Sequence, residues 1–310
     1  MKKFLFLSLF FLTIFFLINT YILKKSQFSY KENIKKIFFY AKKNYLINKY
    51  SGCFIEKKNK QIDKKIIIAG HSYGAPSDNK NLTTYPKFLK YLSENYTTKF
   101  SYIFLAGDIV KEPSKKNFNK VRKEINEFTK NLYVAPGNHD VGLGSKNNNY
   151  REEFISEFGK TYQKIIVDNN LFFVLDTNFH PGNISSDQID FLKKEVANIK
   201  NIKNIFVITH HLIWQNYTNG KIKSNINEDF FFKNNFHDVL DLFNKIENKT
   251  KIFFISGDVG VFAKRTVIFC EQKKNIYFIA TGMGNKYLDN YLKILISSNG
   301  EILSLMPIFF

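Results

Sequence analysis

The sequence predicts an α/β layered domain preceded by an N-terminal transmembrane helix, and three observations carry that expectation. Short apolar runs rich in Ile, Val, Phe and Tyr recur from Lys65 onward and read as buried strands. Helix-like stretches lie between them, the alternation of a layered α/β domain. Near the start, Phe4 to Leu23 carries no charge, a run of about the 20 residues needed to cross a bilayer as a helix.

Taken in order, Met1-Lys2-Lys3 forms a short basic head before the uncharged run. No small-x-small site follows closely, Asn19-Thr20-Tyr21 being a poor substitute, so residues 1–25 read as an uncleaved membrane anchor with lipid as its partner. The side of the membrane stays open. Lys24, Lys25, Lys31, Lys35 and Lys36 after the run favour a cytoplasmic body, whereas a short basic head is also how export signals begin. Residues 26–64 read as a basic juxtamembrane helix or linker, with Tyr30, Ile34, Ile37, Phe38, Ala41 and Tyr45 at helical spacing. That face suits either anionic lipid or packing against the main domain, which spans residues 65–310.

Within the main domain, strands are expected at Ile66–Ala69, Tyr102–Ala106, Leu132–Ala135, Leu171–Leu175, Ile205–Ile208, Ile252–Ile255 and Ile276–Ala280. Helices are expected at Tyr85–Tyr96, Asn117–Lys130, Ser186–Ile199 and Glu228–Ile246. Tyr291 to Ser298 and Ile302 to Ile308 flank Asn299-Gly300, the signature of a β-hairpin.

Composition sets the outer limits. With 310 residues, 44% hydrophobic and 17% aromatic, the chain is neither disordered nor too short for a sizeable core. Its 46 Lys+Arg against 27 Asp+Glu give a net charge of +19. The lysines are scattered and accompany heavy use of Asn, Ile and Phe, whereas a nucleic-acid face gathers Arg and aromatics into a stripe. They read as a solvated surface, and no nucleic-acid partner is expected. Cys53 and Cys270 cannot make a disulfide framework and lie in no paired zinc-ligand pattern.

The chemistry stands at the ends of the strands: Gly70-His71, Gly107-Asp108, Gly137-Asn138-His139-Asp140, Thr209-His210-His211 and Gly257-Asp258. In an α/β sheet the ligand crevice lies beyond the carboxyl ends of the strands, so these groups can converge. Four of the six histidines stand there; His180 and His237 read as surface residues. Imidazole nitrogen, carboxylate and amide oxygen together suit a divalent Mn, Fe or Zn ion.

In these residues the chain resembles the calcineurin-like metallophosphoesterase superfamily, whose motifs run D-x-H, G-D, G-N-H-D/E, a His pair and G-H-x-H. The likeness spans about Lys65 to Gly284 and takes in Leu175-Asp176-Thr177-Asn178, Gly182, Gln188, Phe191 and Leu192. It implies a layered β-sandwich flanked by helices and a phosphoester substrate. It also implies that Asp108 bridges two metals, that His71 belongs to the first, and that Asn138 and His210 bind the second. His139 would be the general acid and Asp140 the carboxylate that orients its imidazole.

Two departures fall on the first-metal half. Ala69 replaces the family Asp, and Gly257-Asp258-Val259-Gly260 stands where G-H-x-H is expected. Asp258 can still donate an oxygen, and Asp78 is a candidate to restore the first site. His211 is a substrate-side or supporting group, or simply packed. The expectation is therefore a membrane-anchored phosphoesterase with one or two ions, using metal-activated water and His139 as general acid. The alternative is a catalytically impaired binding or scaffolding protein of the same fold.

Overall fold

The computed structural model describes residues 32–310 apart from 58–60, 79, 144–148, 180–181, 221, 226–233, 262–264 and 285–287. The chain divides into two compact units, Met1–Asn48 and Lys49–Phe310. Residues 32–49 form helix α1, on which Ile37, Phe38, Tyr40 and Tyr45 are exposed.

The membrane expectation is corrected. Among the described residues no helix is long and apolar enough to cross a membrane. The run Phe4 to Leu23 lies outside the described residues, as does His180. An uncharged run is a necessary condition for a spanning helix and not a sufficient one, so the membrane localisation, the transmembrane helix and the lipid partner are withdrawn.

In the second unit the described strands form two six-stranded sheets. The first has the order β1 (Ile55–Glu56), β12 (Ile302–Phe309), β11 (Asn290–Ile296), β2 (Lys64–Gly70), β3 (Tyr102–Ala106), β4 (Leu132–Ala135). The second has the order β5 (Gln163–Val167), β6 (Asn170–Val174), β7 (Asn204–Thr209), β8 (Lys251–Ser256), β10 (Ile276–Thr281), β9 (Ile268–Lys273). Strands β2-β3-β4 and β6-β7-β8-β10 are parallel; β11 pairs antiparallel with β2, β12 with β11 and β1 with β12, while β5 and β9 pair antiparallel with β6 and β10. All seven expected strands are present within a residue or two, and the Asn299-Gly300 hairpin joins β11 to β12.

The period of two along each strand sorts its residues between layers. From the first sheet, Ile66, Ile68 and Phe104 meet Phe206, Phe253 and Ile279 of the second in the core between the sheets. The opposite faces are covered by helices. Ile67, Ile103 and Leu105 pack with Phe88 of α2 (Pro86–Asn95), Phe118 of α3 (Lys115–Asn126) and Phe154 of α5 (Asn149–Phe158). Phe173, Val207 and Phe254 pack with Leu192 of α6 (Ser186–Ala197) and Phe243 of α7 (Phe236–Asn244). The result is a helix–sheet–sheet–helix sandwich. Helices α3 and α6 begin where Ser114 and Ser185 accept the N–H groups of Asn117 and Gln188, each an N-cap.

The many aromatic residues have a structural use. Phe172, Phe206, Phe253 and Tyr277 lie in register on neighbouring strands of the second sheet. Their rings, with Phe104 from the first sheet, form one stack with centroids 4.5–4.9 Å apart and planes within 19°. It is a ladder of cross-strand pairs of the kind that fixes register.

Cys53 and Cys270 are joined by a disulfide, with Cα atoms 6.1 Å apart across a sequence separation of 217. One bridge is not the framework that the sequence ruled out, and the spacing of the two cysteines gave no sign of their pairing. Tyr50 meets Phe269 edge to face at 5.8 Å, beside Cys270, and a turn from Tyr50 to Cys53 brings the second sulfur to β9.

Candidate metal centre

The strands that carry the motifs end together, and the backbone there is shaped for close approach. Gly107 has φ +76°, and a Cβ on it would lie 2.4 Å from Nδ1 of His210, so only glycine lets that imidazole lie over the loop. His71 and Asp108 are themselves held at φ 49° and 53°, a left-handed conformation that non-glycine residues seldom adopt. Such strain clusters at functional sites because the surroundings must over-determine it. Here the His71 N–H donates to the Gly107 carbonyl at 3.1 Å, tying the two loops together.

Four predicted ligands meet. Asp108 presents Oδ2 to His71 Nε2 at 3.3 Å and Oδ1 to His210 Nε2 at 3.4 Å. His210 Nε2 also lies 3.1 Å from Asn138 Oδ1, which stands at the first position of α4 (Asn138–Val141). Ligand atoms about 2.1 Å from one ion are separated by about 3.0–3.4 Å in octahedral or tetrahedral arrangements, so these spacings match coordination edges. Asp258 Oδ1 is farther from His210 Nε2, at 3.9 Å. His210, His211 and Asp258, all buried, form a cluster whose ligand atoms lie within 4.8 Å of one another.

Tautomers follow from the other ring nitrogens. His210 Nδ1 lies 3.2 Å from the Ala106 carbonyl and donates to it, which leaves Nε2 facing Asp108 and Asn138. His211 Nδ1 is held by Thr177, at 3.1 Å from its carbonyl and 2.8 Å from its hydroxyl. The sequence offered no signal for the Ala106 and Thr177 carbonyls in these roles.

Burial and mutual charge set the electrostatics of the cluster. Burial opposes charge on His210, but the carboxylates of Asp108 and Asp258 outweigh it and raise the imidazole pKa. Burial likewise opposes ionisation of Asp108, yet His210 and His71 hold it below the ordinary carboxylate range. Burial lowers His71 to about 4, and burial with the charge of His210 lowers His211 to about 3. His71 Nδ1 has no hydrogen-bond partner among the described residues. Neutral imidazoles beside a paired carboxylate and an amide oxygen are the donor set that a divalent transition metal takes.

His139 is half-buried and Asp140 fully buried. Here the orienting role expected of Asp140 is corrected. Its oxygens accept the backbone N–H groups of Gly137 at 2.8 Å, Ile109 at 3.0 Å and Val110 at 3.2 Å. His139 Nδ1 instead lies 3.0 Å from the Lys111 carbonyl. Adjacent positions on a helical turn point in different directions, so neighbours in sequence do not face one another. Burial, then the charge of Asp108, raises Asp140 to about 7 against those backbone donors.

On the first-metal half, Ala69 belongs to the apolar cluster under the helices and Gly260 has no side chain, leaving His71 and Asp108. Asp78 accepts the Lys80 N–H at 3.1 Å. A residue that motif reading passed over occupies this region. The Tyr73 ring packs at a tilt against those of His71 and His139, with centroids 4.4 and 5.2 Å apart, and burial followed by the charges of Asp108, Asp140 and Asp258 pushes its phenol well above the ordinary tyrosine value. Away from the cluster, Asp176 is buried against Arg151 and accepts the Asn178 N–H at 2.9 Å, a structural role, and His237 is an exposed partner of Asp238 at 2.9 Å.

A two-sheet sandwich with such donors at its strand ends defines a metallophosphoesterase-type domain. The chain belongs to the calcineurin-like phosphoesterase family, whose model matches residues 71–240. It is 24% identical over 140 residues to the 3',5'-cyclic adenosine monophosphate phosphodiesterase CpdA of Haemophilus influenzae, covering 43% of this chain and 48% of that one. The chain thus spans about half the length of that curated relative. Similar solved structures include phosphopantetheinyl hydrolase (PptH) from Mycobacterium tuberculosis, with TM-score 0.39, 9% identity and coverage of 72% of this chain and 90% of that one. NAD nucleotidase (NadN) from Haemophilus influenzae gives 0.35, 12% identity and coverage of 81% and 51%.

Proposed function

We propose that the chain is a metal-dependent phosphoric ester hydrolase in which Asp108, Asn138 and His210 hold a divalent ion and His139 is the general acid. The observation that carries this reading is the set of 3.1–3.4 Å separations linking Asp108, His210 and Asn138, inside a phosphoesterase fold. Asp258 and His211 close the same cluster, and His71 marks a second, poorer ion position on the far oxygen of Asp108. A bound Mn, Fe or Zn ion supplies Lewis acidity toward a phosphoryl oxygen and lowers the pKa of water.

The chain's own groups do the rest. Asp108 and Asp258 bring the negative charge that offsets a dication, and Asn138 adds a neutral oxygen. With Nδ1–H on the Lys111 carbonyl, His139 keeps Nε2 as the nitrogen that passes a proton to the departing alcohol oxygen. A phosphodiester is the first substrate class to assay, since CpdA is named for one, and a phosphomonoester the second.

The test uses the full chain, metal analysis, and chromogenic diester and monoester with added Mn. Asp108→Ala is expected to lose both metal and turnover. His139→Ala is expected to keep metal and lose about 10²- to 10⁴-fold in rate, the scale of general acid catalysis. Equal metal loss in the two variants refutes the assignment. The second reading, an impaired binding protein, draws on Ala69 and Gly260; a wild-type chain that takes up no ion and turns over no ester decides for it.

A further inference from the structure

Tyr73 is 1% exposed, and its hydroxyl has no hydrogen-bond partner among the described residues. Buried hydroxyls almost always find a partner, so one without a partner beside a reaction centre calls for a function. Its ring is fixed against both His71 and the acid His139, at 4.4 and 5.2 Å. Its backbone is fixed as well: the N–H donates to the Asp108 carbonyl at 3.2 Å, and the carbonyl accepts from Asn81 Nδ2 at 2.9 Å. The ring therefore stands beside His71, on the half of the centre where Ala69 and Gly260 supply no ligand, and beside His139, the group proposed above as the acid.

We propose that Tyr73 is a further catalytic residue, whose O–H donates a hydrogen bond to a non-bridging phosphoryl oxygen of the substrate. The inference rests on the phosphoesterase reading above. In phosphoryl transfer, charge spreads over three equatorial oxygens, and stabilising it is most of what the protein contributes. One ion reaches only part of that charge. A neutral donor on the depleted half does what preorganised donors do in oxyanion holes, without a second cation.

The test is Tyr73→Phe in the full chain loaded with Mn, which deletes one oxygen and keeps the packed ring. Five quantities are read: Mn per chain, melting temperature, affinity for orthovanadate by calorimetry, and kcat and KM on a chromogenic phosphodiester. Mn content and melting temperature are expected to match the wild type, because the hydroxyl holds nothing in the resting fold. Vanadate affinity and kcat are expected to fall together by about 10- to 100-fold, the worth of one hydrogen bond to a charged oxygen, with KM little changed. A variant with wild-type kcat and vanadate affinity overturns the role of Tyr73 and leaves the hydrolase standing. Loss of Mn makes the phenol a ligand, and a collapse in melting temperature makes it structural; either overturns the proposal. A wild-type chain that holds Mn but neither binds vanadate nor turns over ester overturns both readings.

Discussion

The buried carboxylate of Asp140 shows how far a residue's role depends on what lies around it and how little on its motif. Three backbone N–H groups, from Gly137, Ile109 and Val110, converge on its two oxygens and tie the loop after β3 to the start of α4. Those loops carry Asp108 and Asn138, so Asp140 braces the centre through the main chain. Replacing it with Asn keeps one acceptor oxygen and turns an NH₂ group toward the remaining backbone donors. At least one buried donor then loses its partner, at about 1–3 kcal/mol. Asp140→Asn is expected to melt earlier by that amount in metal-free protein, measured by urea denaturation; an unchanged midpoint means the three contacts add nothing. The residue types of the proposed ligands were legible in the sequence because they stand directly after strand-like runs. The groups that set the tautomers were not, since they are main-chain carbonyls of Ala106, Lys111 and Thr177, and any residue type supplies a carbonyl.

Among the elements, the central strands and the edge strand β4 announced themselves, and the edge strands β5 and β9 did not. Strands β3 and β7 are continuous apolar runs because both faces are covered, whereas β5 alternates buried Ile165 with exposed Lys164 and Ile166, and β9 ends in Glu-Gln-Lys. Edge strands carry such polar residues to avoid pairing with other chains, and that erases the signal. The meeting of the two sheets at the centre was equally hidden. It depends on Gly257 at the end of β8, where a Cβ would lie 1.9 Å from the Ala106 carbonyl at the end of β3. Neither atom can yield without moving a strand. Gly257→Ala is expected to destabilise the fold by about 1–3 kcal/mol, the usual cost of overpacking, and to weaken Mn binding by parting Asp258 and His210 from Asp108. Retention of both stability and Mn affinity would mean that the sheets do not close on this contact.

For the molecule as a whole, the order of motifs along the chain revealed which loops converge, while the pairing of Cys53 with Cys270 required the fold, since a separation of 217 residues says nothing about distance. The converging loops bury several titratable groups together, and stability must follow pH accordingly. His71 and His211, lowered to about 4 and about 3 from 6.5, leave the unfolded chain with more bound protons below pH 6.5. Their contribution is fully present above 6.5 and is lost as pH falls toward 4. Asp140, raised from 3.8 to about 7, acts oppositely, since the folded chain binds the extra proton and stability declines as pH rises through that window. Between about 4 and 6.5 two histidines outweigh one carboxyl, so stability climbs with pH. Above 6.5 the histidine effect is complete, and the raised groups Asp140 and His210 draw stability down as they lose their protons. Metal-free protein is therefore expected to be most stable near pH 6.5, with urea midpoints lower at both pH 4.5 and pH 8. Saturating Mn is expected to lift the pH 8 value most, because an ion on Asp108 and His210 takes the place of the proton lost there. Midpoints that rise without break from pH 4.5 to pH 8 in metal-free protein would show that His210 and Asp140 do not hold protons in the folded centre.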